Sequence, residues 1–375
     1  MLPRHRLLIQ VVPRLTPSRC GVSDQAFLLA RELETEFGVD TAFLVLNSNE
    51  KCDLPYPTVH CRPDELLDTC VSLSENHPAA LLVHVSGYGY AADGAPALLA
   101  DALAHLRSDG RFPIAAYFHE LFATGMPWKS AFWYSRRQKN AICQIASESD
   151  LIVTSRDNNA KWLAQEANLR AGAQIQLLPV FSACGESAVP PGVAQREPAL
   201  AVFGLAATRQ RAYKTLSSLQ RTLHDLGVKE IMDIGPRSWI PSELCGIPVR
   251  CKGVLAASEL RSQLCRAMFG FLSYTLPYLA KSSVFASYCA QGTIPVIAKP
   301  FQEEVDGLKD GVHVLSPRTV RTARVWGWDR CSLAAWQWYQ AHRLGVHAAT
   351  YARWLENPRR GAGAEARVPV EATEI

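Results

Sequence analysis

The sequence predicts two α/β domains of similar size, each built on a mostly parallel sheet and facing the other across a cleft. Three observations lead there. Short apolar runs alternate with amphipathic segments through the first half of the chain, a proline- and glycine-rich stretch without apolar periodicity interrupts them, and the alternation then restarts. Strands that read as continuous apolar runs between helices belong to parallel sheets covered on both faces. At 375 residues the chain also exceeds what one core ordinarily holds.

In the first domain (residues 1–181), LLIQVV (7–12), TAFLVL (41–46), ALLVHV (80–85), IAAYFH (114–119) and LIVTS (151–155) read as buried strands. After the first of them, SDQAFLLARELETEF places Ala26, Leu29, Ala30, Leu33 and Phe37 on one helical face. Ser23 and Asp24 are its expected caps, and Gly38 closes it. Residues 182–198, with Pro190, Pro191, Pro198 and two glycines, read as an interdomain linker. In the second domain (199–325), ALAVFG, KEIMDIG and FGFLSY are strands, and YKTLSSLQRTLHDLG and ELRSQLCRAM are helices. KSSVFASYCAQGTIPVIAKP (281–300) is a helix feeding a further buried strand. The tryptophan-rich region 326–358 is helical by period and is expected to cross back over both domains. The tail 359–375, rich in Gly, Ala and Glu, is expected to be disordered.

Composition narrows the function classes. A net charge of +4 on 375 residues, with both signs interspersed, argues against nucleic acid as the main partner. The eleven cysteines are odd in number and form no CxxC or Cys/His cluster, so reduced core thiols are expected, Cys143, Cys265 and Cys289 among them. No apolar run has membrane-spanning length. MLPRHRLLIQVVP is too short in its apolar part for a signal peptide and reads as the first strand. A cytoplasmic protein is therefore expected. Peripheral membrane contact remains open, although no strongly basic amphipathic face stands out.

Ligands of such sheets bind at the carboxyl ends of the strands, so residues at strand exits are the candidates. After the first strand, Gly21 and Val22 with Asp24 open a helix whose free N–H groups suit an anionic or hydroxyl-rich ligand; an ordinary βα turn accounts for the same residues. Tyr88 and Tyr90, beside Asp93, can line a sugar or acceptor pocket or simply pack under a neighbour. His119 and Glu120, at the exit of the fourth run, are the candidate catalytic pair. Arg209, Arg211 and Lys214 near a helix start suit a diphosphate, or are solvated surface charges. Lys281, Ser282 and Ser283 combine a cation, two hydroxyls and a helix N-terminus into an anion cradle.

Taken in order and spacing, CGVSDQAFLLARELE, GYGYAADGAP, FHELFATGMPWKSAFW, FGLAATRQRAYK, YCAQGTIPVI and DGLKDGVHVLS give a resemblance over residues 7–355. The chain resembles a GT-B glycosyltransferase of the family-4 (group 1) type. The resemblance implies two Rossmann-like domains and retaining transfer of a sugar from a UDP- or GDP-type donor. It further implies no cofactor, no metal, and a carbohydrate, lipid-linked or small-molecule acceptor. It places Gly21 and Val22 near the donor phosphate, His119 on the donor sugar, and Arg209 and Lys214, at R-x4-K spacing, on the diphosphate, with Arg211 as a substitute.

The chain departs from the family at its paired glutamates. Counting back from Gly292, the second glutamate of E-x7-E falls at Ser287 and the first at Leu279. Lys281, Ser282 and Ser283 favour a changed donor site over a lost one. A non-catalytic carbohydrate-binding relative and a sugar-nucleotide epimerase on the same architecture are the alternatives.

Overall fold

The computed structural model describes residues 7–15, 20–48, 54–75, 77–123 and 130–357, so the tail expected to be disordered lies outside the described residues. The first sheet comprises β1 (Leu7–Val12), β2 (Asp40–Val45), β3 (Thr58–His60), β4 (Ala79–Val85), β5 (Ile114–Phe118), β6 (Leu151–Thr154) and β7 (Gln174–Leu177). All pairings are parallel, in the order β3-β2-β1-β4-β5-β6-β7. Its helices are α1 (Gly21–Phe37), α2 (Leu66–Ser74), α3 (Gly87–Tyr90), α4 (Ala97–Asp109), α5 (Ser130–Ser147) and α6 (Asp157–Glu166). The strand order reverses between β1 and β4, which opens a crevice at their carboxyl ends.

Helix α1 begins earlier than its expected caps. Cys20 is the N-cap residue, and Ser23 lies inside the first turn, where its hydroxyl donates to the Arg14 carbonyl (2.9 Å). The C-terminal end follows expectation, with Gly38 in the left-handed conformation (φ 60°).

The second sheet comprises β8 (Glu197–Phe203), β9 (Glu230–Ile234), β10 (Glu243–Leu244), β11 (Ile247–Gly253), β12 (Ala267–Leu272) and β13 (Ile294–Ile297), in the order β10-β11-β9-β8-β12-β13. Only the β10–β11 pair is antiparallel. Around it lie α7 (Ala206–Leu216), α8 (Gln220–Leu226), α9 (Ala257–Arg266) and α10 (Ser283–Ala290). The single helix expected at 213–227 is in fact α7 and α8. The hydroxyls of Ser217 and Ser218 donate back to the carbonyls of Lys214 and Thr215, competing with the helical ladder where it breaks.

Helix α10 is seated by Tyr288, whose hydroxyl donates to the Ala201 carbonyl (2.9 Å). Its ring lies over Gly270 of β12, where a Cβ would stand 2.5 Å from ring carbons. Only glycine fits there, and the close approach sets where the first turn of α10 stands.

Three helices end the described chain: α11 (Val320–Trp326), α12 (Trp328–Gln340) and α13 (Leu344–Glu356). Helix α12 packs on α10 and β13, whereas α13 crosses back onto α1. Leu29 and Leu33 of α1, Phe285 of α10, Tyr339 of α12, and Tyr351 and Trp354 of α13 belong to one buried cluster that runs through both halves. Polar ties reinforce this seam. The Tyr339 hydroxyl accepts from the Ser182 N–H (2.9 Å), and His347 Nε2 donates to the Pro179 carbonyl (2.9 Å).

The proline-rich connection is itself packed. Arg196, only 6% exposed, has its guanidinium caged by the carbonyls of Pro191, Leu264, Ala267 and Gln291. Replacing it orphans several buried acceptors at once, each costing about 1–3 kcal/mol. Arg196→Ala is expected to lose at least about 3 kcal/mol, read as a lower urea midpoint at unchanged slope.

Candidate active site

Loops leaving the carboxyl ends of β4, β5 and β6 converge with the turn before α10 around a cavity of about 490 Å³. The first half of the chain lines it with Gly87, Tyr88, Gly94, His119, Glu120, Leu121, Phe122, Ala123, Gln138, Arg156, Asn158, Asn159 and Trp162. Tyr278 and Lys281 close it from the second.

His119 is the end of a polar chain buried in the first sheet. Gln10 of β1 donates from Nε2 to the Ala26 carbonyl (3.2 Å), and its Oε1 lies 2.8 Å from His84 Nε2. His84 Nδ1 lies 3.1 Å from His119 Nε2, and the two imidazoles stack with centroids 5.4 Å apart. A carbonyl only accepts, so the Gln10 amide group must face Ala26 and its oxygen must face His84. His84 therefore carries its proton on Nε2 and accepts at Nδ1, which requires the proton of neutral His119 to sit on Nε2. His119 Nδ1 is left as a lone-pair acceptor. Burial holds His119 well below the ordinary imidazole range, aided by its neighbours His84, Lys281 and His347. At neutral pH this ring is uncharged, with a lone pair and no proton at Nδ1.

Across the cleft, Lys281 Nζ donates to Glu120 Oε1 (2.6 Å), joining the two halves, and stands 4.9 Å from the centroid of Tyr278. Ser282 and Ser283 open α10 as expected. The Ser282 hydroxyl caps it by accepting from the Phe285 N–H (3.2 Å), and Ser283 is its first helical residue. The next N–H groups, of Ser283 and Val284, precede any intrahelical acceptor. A second tie reaches α6, where Asp306 of the second half accepts from the Asp157 N–H (2.8 Å) and so caps that helix from outside. The Trp338 indole in turn donates to the Asp306 carbonyl (2.9 Å).

The cavity gathers Tyr88, His119, Glu120 and Lys281 from the expected set. Gly21, Val22 and Asp24 form the first turn of α1, beyond the end of β1, and do not line the cavity. Tyr90 is corrected: its hydroxyl donates to the Val11 and His84 carbonyls (3.2 and 3.1 Å), pinning the loop to β1 and β4. Arg209 is corrected too. It is 1% exposed and gives its guanidinium to the Asp233 carboxylate and the Gly204 and Pro236 carbonyls, so no donor points toward a diphosphate. Arg211 and Lys214 are exposed on α7 and do not line the cavity. Lys214 lies eight residues past the helix start, about 12 Å along its axis. Leu279 and Ser287 are fully buried, and the Ser287 hydroxyl is engaged by the Ser283 carbonyl (2.8 Å) and Ser182 (3.2 Å), so no ribose contact falls to it.

Several residues in or beneath the cavity wall went unread in the sequence. Gln10 and His84, buried beneath it, carried a signal, each being a lone polar residue inside an apolar strand run. Arg156, Gln138 and Tyr278 carried none, because only tertiary packing brings them together. Every described cysteine is free, and burial pushes the Cys70 thiol up to about 12, as expected of a core residue. Among the described residues, no cluster of His, Cys, Asp and Glu is arranged to hold a metal ion, and no helix is long and apolar enough to cross a membrane.

Comparison with known proteins places this geometry. No family model and no curated protein matches the chain. Solved structures do. A sucrose-phosphate synthase from Thermosynechococcus elongatus superposes with TM-score 0.60 at 13% identity, over 94% of this chain and 99% of that one. An α,α-trehalose 6-phosphate synthase from Burkholderia multivorans gives 0.58 at 12%, over 96% and 100%. An α-glucosyltransferase in complex with UDP and a 13-mer DNA gives 0.58 at 13%, over 92% and 97%. The chain has the two-domain GT-B fold of these glycosyltransferases, with the cavity in the cleft between its sheets.

Two outcomes follow from the buried charges. Arg209→Ala leaves Asp233 without its counter-charge and is expected to cost about 3–5 kcal/mol in urea denaturation, while folded protein keeps its ligand affinity. Burial lowers His84 and His342 to about 3 and His347 to about 4. The unfolded chain protonates its histidines near about pH 6.5, so it binds more protons than the folded chain below that point. Stability is therefore complete above about pH 6.5 and declines as the pH falls toward the folded values. Urea midpoints in steps from about pH 7.5 to about pH 4.5 should show that decline, and His84→Gln should make it shallower.

Proposed function

We propose that this chain is a retaining, metal-independent glycosyltransferase that moves a sugar from a nucleoside-diphosphate donor to an acceptor hydroxyl. One observation carries the reading: a single cavity joins a neutral imidazole acceptor from one sheet to a cation beside a helix N-terminus from the other. His119 Nδ1 accepts a hydroxyl of the donor sugar and fixes its orientation. Lys281, with the first N–H groups of α10, faces the charge that grows on the departing diphosphate. Tyr88, held through its hydroxyl by Gln138 (3.3 Å), offers a ring to the acceptor side. Retention, metal independence and the absence of a cofactor follow from the sequence resemblance, and the GT-B fold supports it.

A second reading has an observation of its own. With Leu279 and Ser287 buried, no carboxylate replaces the family's paired glutamates, as in a relative that binds carbohydrate without turnover. A panel of nucleotide sugars separates the two. Thermal shift should single out at least one donor, and release of its nucleoside diphosphate should require an acceptor. His119→Ala is expected to lower that release by about 100-fold in protein that still folds, with a lower melting temperature because buried His84 Nδ1 loses its donor. Binding without release selects the second reading, an isomer formed without acceptor selects an epimerase, and absence of all binding removes the donor assignment.

A further inference from the structure

Two cations of the cavity wall come from opposite halves of the chain, and each lies against the same ring. The Arg156 guanidinium carbon lies 5.3 Å from the centroid of Tyr278, and Lys281 Nζ lies 4.9 Å from it. Their balance differs. Lys281 has Glu120 as partner, 51% exposed and open to exchange with water. Arg156 Nε is buried with no hydrogen-bond partner among the described residues. A guanidinium N–H shielded from water without an acceptor is costly, so its position has to be held by something else. Arg156 is held through its backbone as the N-cap residue of α6, the helix start that Asp306 fastens. The Asp306 carboxylate accepts from the helix backbone and does not line the cavity, but its charge acts on Arg156 from behind the wall. The charged groups that line it are Arg156, Lys281 and Glu120, leaving one positive charge in excess, with the amides of Asn158 and Asn159 alongside.

We infer that Arg156 and Lys281 form a clamp for a phosphoryl group, one jaw from each domain. The guanidinium supplies a planar fork, and the ammonium supplies a mobile point charge. When the phosphoryl group enters, Lys281 exchanges the Glu120 carboxylate for a phosphate oxygen, and the outer N–H groups of Arg156 meet the other oxygens. The clamp does the work that the sequence resemblance implies for Arg209, Arg211 and Lys214. The donor diphosphate as its occupant rests on the transferase reading; a phosphorylated acceptor sugar presents the same chemistry.

Calorimetry on the full chain with inorganic pyrophosphate, UDP, GDP and glucose 6-phosphate tests the clamp. The wild type should bind pyrophosphate, Arg156→Gln and Lys281→Gln should each weaken it by about tenfold or more, and Arg211→Gln should not. If UDP or GDP weakens in parallel, the occupant is the donor diphosphate. If glucose 6-phosphate alone weakens, it is a phosphorylated acceptor; either result supports the clamp. Pyrophosphate binding that depends on Arg156, with no nucleotide bound by the wild type, keeps the clamp and removes the donor reading. The clamp is overturned if the wild type binds none of the four probes, or if folded Arg156→Gln binds them within about twofold of wild type. Arg156→Met, which keeps the stem over Tyr278 and removes only the fork, decides in the same way if the Gln variant does not fold.

Discussion

The cleft depends on how a fully covered parallel sheet satisfies the polar groups inside it. No water reaches Gln10 or His84, so each must find its partner within the sheet. The Ala26 carbonyl, which can only accept, gives the chain of hydrogen bonds its direction. That direction passes through His84 and fixes which nitrogen of His119 carries the proton. A chemical property at the surface of the cavity is thus decided by a backbone carbonyl on the far side of β1. The ring of Tyr117, 4.3 Å from His119, lies next to His347 of α13, so the crossing helix also reaches the floor beneath the site.

The cations show that residue type does not give an address. Of the arginines and lysines that could have met an anion, Arg196 and Arg209 are structural for different reasons. Arg196 is caged by carbonyls and holds the connection between the sheets, whereas Arg209 neutralises Asp233 under the β8–α7 turn. Each would be costly to withdraw, because the acceptors left behind are buried. Lys281 and Arg156 differ in having little or no structural demand on their polar ends. Availability, more than charge, separates a ligand-binding arginine from a scaffold one.

What could be read in advance follows the same division. The strands of the first sheet were plain as apolar runs, since strands covered on both faces need no alternation. β3, β7, β10 and β11 were missed: the first three are two to four residues long and partly exposed, and β11, though seven residues long, leaves most of its residues exposed. The strand-exit rule delivered His119 and Glu120, and the start of α10 was legible from its serines. Tyr90 was misread because its fate depends on two carbonyls that only strand pairing places together, and Arg209 because Asp233 lies 24 residues further along. The two positions counted for the glutamates, Leu279 and Ser287, both face the core, and spacing alone does not report which way a helix is turned.

The bond from Asp306 to α6 has a kinetic meaning. Asp306 holds a left-handed backbone conformation (φ 53°) in the second domain and caps a helix in the first. Any motion that parts the domains strips α6 of its cap, at about 1 kcal/mol, and breaks the Glu120–Lys281 pair with it. It must also part aromatic surface in the shared seam. The resting molecule is therefore biased toward the closed cleft, which opens only when these contacts fail together. How readily the two halves part is the quantity this aspartate bears on.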